Sequence, residues 1–331
     1  MNKVIANFFF LKSLNGMFYY GLETLSSLNL KSAIIVLHYR FRNQKVETLS
    51  QYPVIYVGLF GFIFIYLKIL FSKLYVYTPT SHCLPLVTRQ VITVHDSYPF
   101  YSCHLRWKFH LLKYLSFFSW PYICYVNNSN AKPFSELLFN KGTLYLPNRI
   151  SLIEQPVIQT PYKFTIALFG TDSCKKNYEL FFKNAINHKD INFSFSIYGT
   201  SNKYIEDIIS SFPSLEIKLI NSSHVSLSDF IANISCAASV ASGEGFCRPI
   251  AQCVCMGKKV FLLNDDVFYE FYSQSATFSD SISDLIKKIN DFSKRPTESF
   301  YCPSNFSYVY KSINDNFYKS TSNLIEILSK R

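Results

Sequence analysis

Glu244 stands in a turn of small residues, Ala241-Ser242-Gly243-Glu244-Gly245, where a ligand's hydroxyl groups can reach its carboxylate. A carboxylate offers two acceptor oxygens to a diol. The simpler alternative is that Glu244 caps the helix that follows. Lys175 and Lys176 pose a second chemical question, because they lie just before a helical pattern beginning at Tyr178. The helix dipole already makes that end positive, so lysine is badly placed there unless an anion is present. Two solvated surface lysines are the competing reading. His95 closes a strand-like run, Gln90–Val94, and a histidine in that place serves either structure or chemistry.

These residues need elements to hold them. Cys236 to Ser242 reads as a short apolar strand, and a helix is expected from near Pro249 to Met256-Gly257, with proline in the first turn and glycine at the stop. Lys259 to Leu263 reads as the next buried strand. Strand, turn, helix and strand form one unit of a parallel sheet, and such sheets place ligands at the carboxyl ends of their strands. The lysines follow an equivalent element, the apolar run Phe164 to Phe169 that ends in Gly170, with a helix over Tyr178–Ala185.

The segment from Glu244 resembles the donor signature of the family-4 type (group 1) retaining glycosyltransferases, E-G-F-G-x-P with a second glutamate eight positions on. Glu244, Gly245, Phe246 and Pro249 match; Cys247 stands where that family has glycine and Gln252 where it has the second glutamate. The resemblance implies that Glu244 contacts the donor sugar and Gln252 the ribose. It also implies that Lys176, with Lys175 and the turn at Gly170, grips the diphosphate, with Thr171 standing in the place of an arginine. His95 is then expected to face the donor sugar, and Gly16 to let backbone approach the acceptor. The run Asn128 to Lys132 with Leu144 to Asn148 is similar to the pattern that closes the family's first domain. Surface-polysaccharide enzymes carry this signature, and no metal or cofactor is implied, the nucleotide-sugar being a substrate.

Length and composition fit that expectation. A chain of 331 residues suits two domains of about 150 each. Its 49% hydrophobic and 18% aromatic content excludes disorder as a class. The alternation of β-rich and helical runs points to an α/β chain of the GT-B type, two Rossmann-like domains with parallel sheets facing across a cleft. Expected boundaries are 1–150 for the acceptor-side domain, 151–162 for a proline-bearing linker, and 163–300 for the nucleotide-sugar domain. A helix within 301–331 is expected to pack back on the first domain.

The net charge of +11 is carried wholly by residues 1–150, with 15 Lys and Arg against 4 Asp and Glu. That asymmetry, with the basic and apolar helix pattern over Arg106–Leu115, suits an anionic membrane surface or a phosphorylated acceptor. No nucleic-acid motif accompanies it. Tyr52 to Leu67 is uncharged but short for a span and is expected as a buried helix of the first domain, the alternative being a helix that dips into the bilayer. Val4 to Leu11 reads as a first strand leading to a helix over Met17–Leu28, and not as a secretory signal. Nine cysteines without a C-x-x-C pair argue against zinc or disulfide frameworks and for a cytosolic chain.

The expectation is therefore a cytoplasmic, peripherally membrane-bound enzyme that moves a sugar from a nucleotide-sugar to a lipid-linked saccharide. A catalytically inactive sugar-nucleotide binder of the same fold and a basic nucleic-acid-binding protein are the alternatives.

Overall fold

The structure is a computed structural model that describes residues 4–14, 16–30, 32–44, 46–97, 106–150, 163–171, 174–188, 193–295 and 306–329. The segment expected as the linker, 151–162, lies outside the described residues. The chain divides into two compact units, Met1–Arg149 with Ile313–Arg331, and Ile150–Ser312.

The first unit is built on β1 (Val4–Asn7), β2 (Ile34–His38), β3 (Val54–Val57), β4 (Tyr75–Thr78), β5 (Gln90–Val94), β6 (Tyr122–Tyr125) and β7 (Gly142–Tyr145). They form one sheet in the order β3-β2-β1-β4-β5-β6-β7, every pair parallel. Its helices are α1 (Gly16–Ser27), α2 (Leu59–Leu70), α3 (Arg106–Ser119) and the short α4 (Ala131–Glu136). All five residues of β5 are buried, as expected of a parallel strand covered on both faces.

The segment Tyr52–Leu67 corrects an expectation. It is not one buried helix: Val54–Val57 is the edge strand β3, and α2 begins only after Gly58. Phe62 and Ile69 are buried against the sheet, whereas Phe60 and Phe64 are 87% and 72% exposed. An apolar run without polar interruptions carries no periodicity to separate strand from helix or inner from outer face.

The second unit is built on β8 (Thr165–Phe169), β9 (Ser194–Gly199), β10 (Ile217–Asn221), β11 (Cys236–Ser239), β12 (Lys259–Leu263) and β13 (Thr277–Ser279), all parallel, in the order β10-β9-β8-β11-β12-β13. Its helices are α5 (Tyr178–Ile186), α6 (Lys203–Ser210), α7 (Leu227–Ala232), α8 (Arg248–Cys255), α9 (Asp266–Tyr272) and α10 (Ile282–Ser293). Phe181 and Phe182 of α5 and Leu285 and Ile289 of α10 share a core with Phe195 and Ile197 of β9. The chain runs outward from β8 to β10, then returns to β11 on the other side of β8. The neighbours β8 and β11 are thus a switch point, where connecting loops diverge and leave room for a ligand.

The last helix, α11 (Phe306–Ser329), belongs to the first unit from Ile313 onward, and that unit's core includes Phe317, Leu324 and Leu328. Two parallel sheets with flanking helices give the expected α/β class.

Candidate active site

The loops that leave β8 and β11 carry the charged residues. After β8, Gly170 takes a left-handed backbone, φ 88°, and its carbonyl accepts a 2.7 Å hydrogen bond from the Tyr178 hydroxyl. Thr171 turns inward: its hydroxyl donates to the Thr200 carbonyl at 2.7 Å, and its side chain fills the space that a Cβ at Gly199 would need. The chain then makes a 3-10 turn, Cys174–Lys176, and enters α5 through Asn177. Two bonds staple this loop to the end of β11, Asn177 Nδ2 to Val240 O at 2.9 Å and Ser242 N to Lys175 O at 3.2 Å.

The second loop presents Glu244. Lys176 Nζ lies 2.8 Å from Glu244 Oε1, and Lys175 Nζ lies 3.8 Å from the same oxygen. Glu244 and Lys176 are buried, 7% and 9% exposed. Burial opposes the charge on Lys176, yet Glu244 outweighs it and holds the ammonium well above the usual lysine range. Burial likewise opposes the charge on Glu244, and Lys176 with Lys175 outweighs it, so the carboxyl is held below its usual range. Both groups are charged at neutral pH. The anion inferred at the start of the lysine helix is therefore supplied in part by the protein. Glu244 is not a helix cap: α8 has Cys247 at its amino-terminal cap and no side-chain cap bond.

The helix starts in this unit differ by position. Side chains cap α6, α7, α9 and α10, namely Asn202, Ser226, Asp265 and Ser281. The two helices that begin at the site, α5 and α8, have no side-chain cap, and each is entered through a non-glycine residue in the left-handed region, Asn177 at φ 54° and Cys247 at φ 57°. A helix start without a side-chain cap leaves backbone N–H groups for an anion. A left-handed non-glycine residue costs about 1 kcal/mol, and such strain concentrates at functional positions. The glycine of the family signature and the left-handed backbone of Cys247 meet one requirement. Burial and the nearby Glu244 push the Cys247 thiol up to about 11.

Phe246 is a core side chain, edge-on to Phe271 with ring centroids 4.8 Å apart, and its carbonyl accepts a 2.7 Å bond from Tyr272 OH. It fixes the loop through packing, and adjacent Gly245 is half-buried. Gln252 lies within α8 and is 7% exposed. Its carboxamide can both donate and accept, which suits a polar ligand.

Sequence reasoning missed Asp265. Its Oδ2 accepts from Gly243 N at 3.2 Å while its Oδ1 accepts from Val267 N at 3.0 Å, so the cap of α9 also holds the turn that carries Glu244. An aspartate two residues after the apolar run of β12 was the available signal.

In the first unit, His95 is half-buried at the end of β5. Its Nε2 donates to the Pro79 carbonyl at 2.9 Å, its ring meets the edge of Tyr20 at 4.8 Å, and its own carbonyl accepts from Asn127 Nδ2 at 3.2 Å. A carbonyl can only accept, so Nε2 carries the hydrogen. Gly16 opens α1 and is exposed. Among the described residues no group of three or more His, Cys, Asp or Glu is placed to hold a metal ion, and the seven described cysteines are free thiols.

No protein-family model matches the chain, and no curated protein matches it in sequence. Solved structures do match. HepE of Anabaena, in complex with UDP and glucose, superposes with a TM-score of 0.75 at 13% identity, over 99% of this chain and 100% of that one. WaaG, a glycosyltransferase involved in lipopolysaccharide biosynthesis, gives 0.72 at 10% identity over 99% and 100%. A glycosyltransferase from Rickettsia africae gives 0.64 at 13% identity over the whole of both chains. With its parallel seven- and six-stranded sheets, the chain has the GT-B fold of these glycosyltransferases.

Proposed function

We propose that the protein transfers a sugar from a nucleotide-sugar to a hydroxyl of a lipid-linked or surface-polysaccharide acceptor, with retention at the anomeric carbon and without a metal ion. The observation that carries this reading is the buried, charged Glu244–Lys176 pair at the switch point between β8 and β11, flanked by the two helix starts without side-chain caps. Breaking the bond between the anomeric carbon and the diphosphate oxygen leaves negative charge on the leaving group and positive character on the sugar. Ammonium groups and backbone N–H groups fixed in place stabilise the first. Lys176 uses one of its three hydrogens on Glu244, and Lys175 is close by, so both are assigned to the diphosphate. That supply of positive charge makes a metal unnecessary to the mechanism.

Glu244, held ionised by the lysines, is assigned to the sugar hydroxyls and Gln252 to the ribose. His95 and Gly16 are assigned to the sugar and the acceptor on the family resemblance. Contact with the cytoplasmic face of a membrane follows from the lipid-linked acceptor and from the charge of residues 1–150. HepE was solved with UDP-glucose, which makes that donor the first to test.

A binder without turnover is the second reading, favoured by Thr171: the position of the family's arginine is filled by an uncharged, inward-facing side chain. Transfer of radiolabel from a panel of UDP-, GDP- and dTDP-sugars into bacterial membrane lipid separates the two. Label with wild type and none with Glu244→Ala supports the transferase. Donor binding with no label from any donor supports the binder.

A further inference from the structure

Two helices of the first unit carry the same outward pattern. On α2, Phe60, Phe64 and Leu67, continued by Phe71 at the carboxyl-terminal cap, recur at i, i+4, i+7 and i+11 and are 87%, 72%, 45% and 89% exposed. On α3, Trp107, Leu111, Tyr114 and Phe118 recur at the same spacing and are 59%, 46%, 62% and 43% exposed. That spacing puts each set on one helix face. The buried face of α2 is apolar too, with Phe62 and Ile69, whereas α3 buries Leu112 with Ser116 and Ser119 and carries Arg106, Lys108 and Lys113 among its aromatic residues. A helix apolar all round is a helix covered all round, a helix that mixes basic with apolar positions suits a bilayer interface, and contiguous exposed apolar surface marks an interaction site.

One loop joins the two helices. The Tyr66 hydroxyl of α2 donates to Pro85 O at 2.9 Å, and the Ser119 hydroxyl at the end of α3 donates to Leu84 O at 2.9 Å. The next residue, Leu86, is 59% exposed and sits at φ 60°, a conformation leucine rarely adopts. The base of this loop is cationic: Arg89 donates to Lys73 O and Lys141 donates to Thr88 O. From residue 51 to 135 the chain has seven Lys and Arg and a single acid, Asp96.

We propose that the outer faces of α2 and α3, with the loop tip at Leu86 between them, dock the protein onto an anionic lipid bilayer. The aromatic side chains enter the boundary between headgroups and acyl chains, and the surrounding lysines and arginines meet lipid phosphates. The docking is interfacial: twelve residues of α2 span roughly 18 Å against the roughly 30 Å of a bilayer core, and no described helix is long and apolar enough to cross. A second copy of the chain would cover the apolar faces but bring two surfaces of the same sign together, which opposes association. The inference deepens the reading of a lipid-linked acceptor and takes its purpose from it; the surface is read from exposure and charge.

The test is co-sedimentation of the full chain with vesicles of phosphatidylcholine mixed with phosphatidylglycerol, and with vesicles of phosphatidylcholine alone. Wild type is expected to bind the mixed vesicles. Phe60→Ser/Phe64→Ser/Phe71→Ser and, separately, Trp107→Ser/Tyr114→Ser are each expected to lose about tenfold or more in partitioning. Their melting temperatures and UDP binding should match wild type. Absence of wild-type binding overturns the proposal, as does binding that survives both sets of changes, which would be charge alone. Light scattering that shows a wild-type dimer turned monomeric by the same changes overturns it in favour of self-association. Vesicle binding without sugar transfer would leave this surface standing and remove only the enzymatic reading.

Discussion

Lys176 Nζ and Glu244 Oε1 lie 2.8 Å apart although 68 residues separate them in sequence. Each makes the other's burial tolerable. Removing one partner leaves an uncompensated buried charge, which costs about 3–5 kcal/mol. Glu244→Gln and Lys176→Met should each lower urea stability by that order, while the double variant recovers a large part of the loss. All three should lose sugar transfer. Additive losses in the double variant would show that the two groups are not coupled.

The same pair sets the response to pH. Glu244 has its folded pKa lowered below the ordinary 4.5, so its contribution is complete above 4.5 and is lost as pH falls through the folded value. Lys176 has its folded pKa raised above the ordinary 10.5, so its contribution is complete below 10.5 and is lost as pH rises through the folded value. Between those limits the pair adds a constant amount. Wild type should lose stability below pH 4.5 more steeply than Lys176→Met/Glu244→Gln; parallel acid limbs would exclude the pair as the cause.

Cys247 is held at φ 57°. Cys247→Gly should be neutral or stabilising by up to about 1 kcal/mol, because relief of the left-handed strain is set against the larger chain entropy of glycine. Cys247→Val should destabilise by more than about 1 kcal/mol, since a β-branched residue is least tolerant of that region. The melting order Gly, Cys, Val checks it, and a variant with valine as stable as wild type would refute the geometry.

Gln252 and Asp265 should separate in kinetics. Gln252→Ala removes a buried amide assigned to the ribose, so nucleotide binding by calorimetry should weaken by about tenfold, roughly 1.4 kcal/mol. Gln252→Glu should bind as tightly as wild type or tighter. Asp265→Ala frees the Gly243 turn, so kcat should fall more than nucleotide affinity. Equal losses in both for Asp265→Ala would point to general loosening of the unit.

Local pattern carried much of this fold. Gln90–Val94 and Lys259–Leu263 are strands with the expected limits, and Tyr178 does begin a helix. Each is bounded by residues that stop or start an element. Val54–Val57 and α2 merged in the sequence because only Gly58 divides two apolar runs, and neither run alternates. The site was legible as two separate motifs, not as a pair: the ion pair depends on β8 lying beside β11, with Ile166 opposite Cys236, a register that no local signal encodes. Thr171 was legible as a missing charge, but its inward bond to Thr200 was not, because that partner lies beyond the next strand. The basic and apolar pattern of α3 was legible, but the outer face of α2 was hidden, since an apolar residue is read as core unless its neighbours in space are known.

The first unit is discontinuous in sequence, because its core includes Phe317, Leu324 and Leu328. During synthesis the ribosome makes the seven strands of that unit, then the whole second unit, and only afterwards these three residues. The second unit is contiguous and can fold as soon as it emerges. The older segment must wait with part of its apolar core uncovered. Chaperone occupancy on nascent chains should therefore fall in two steps, the later one only after α11 is released. Vectorial synthesis thus gives the second unit a head start over the unit translated before it.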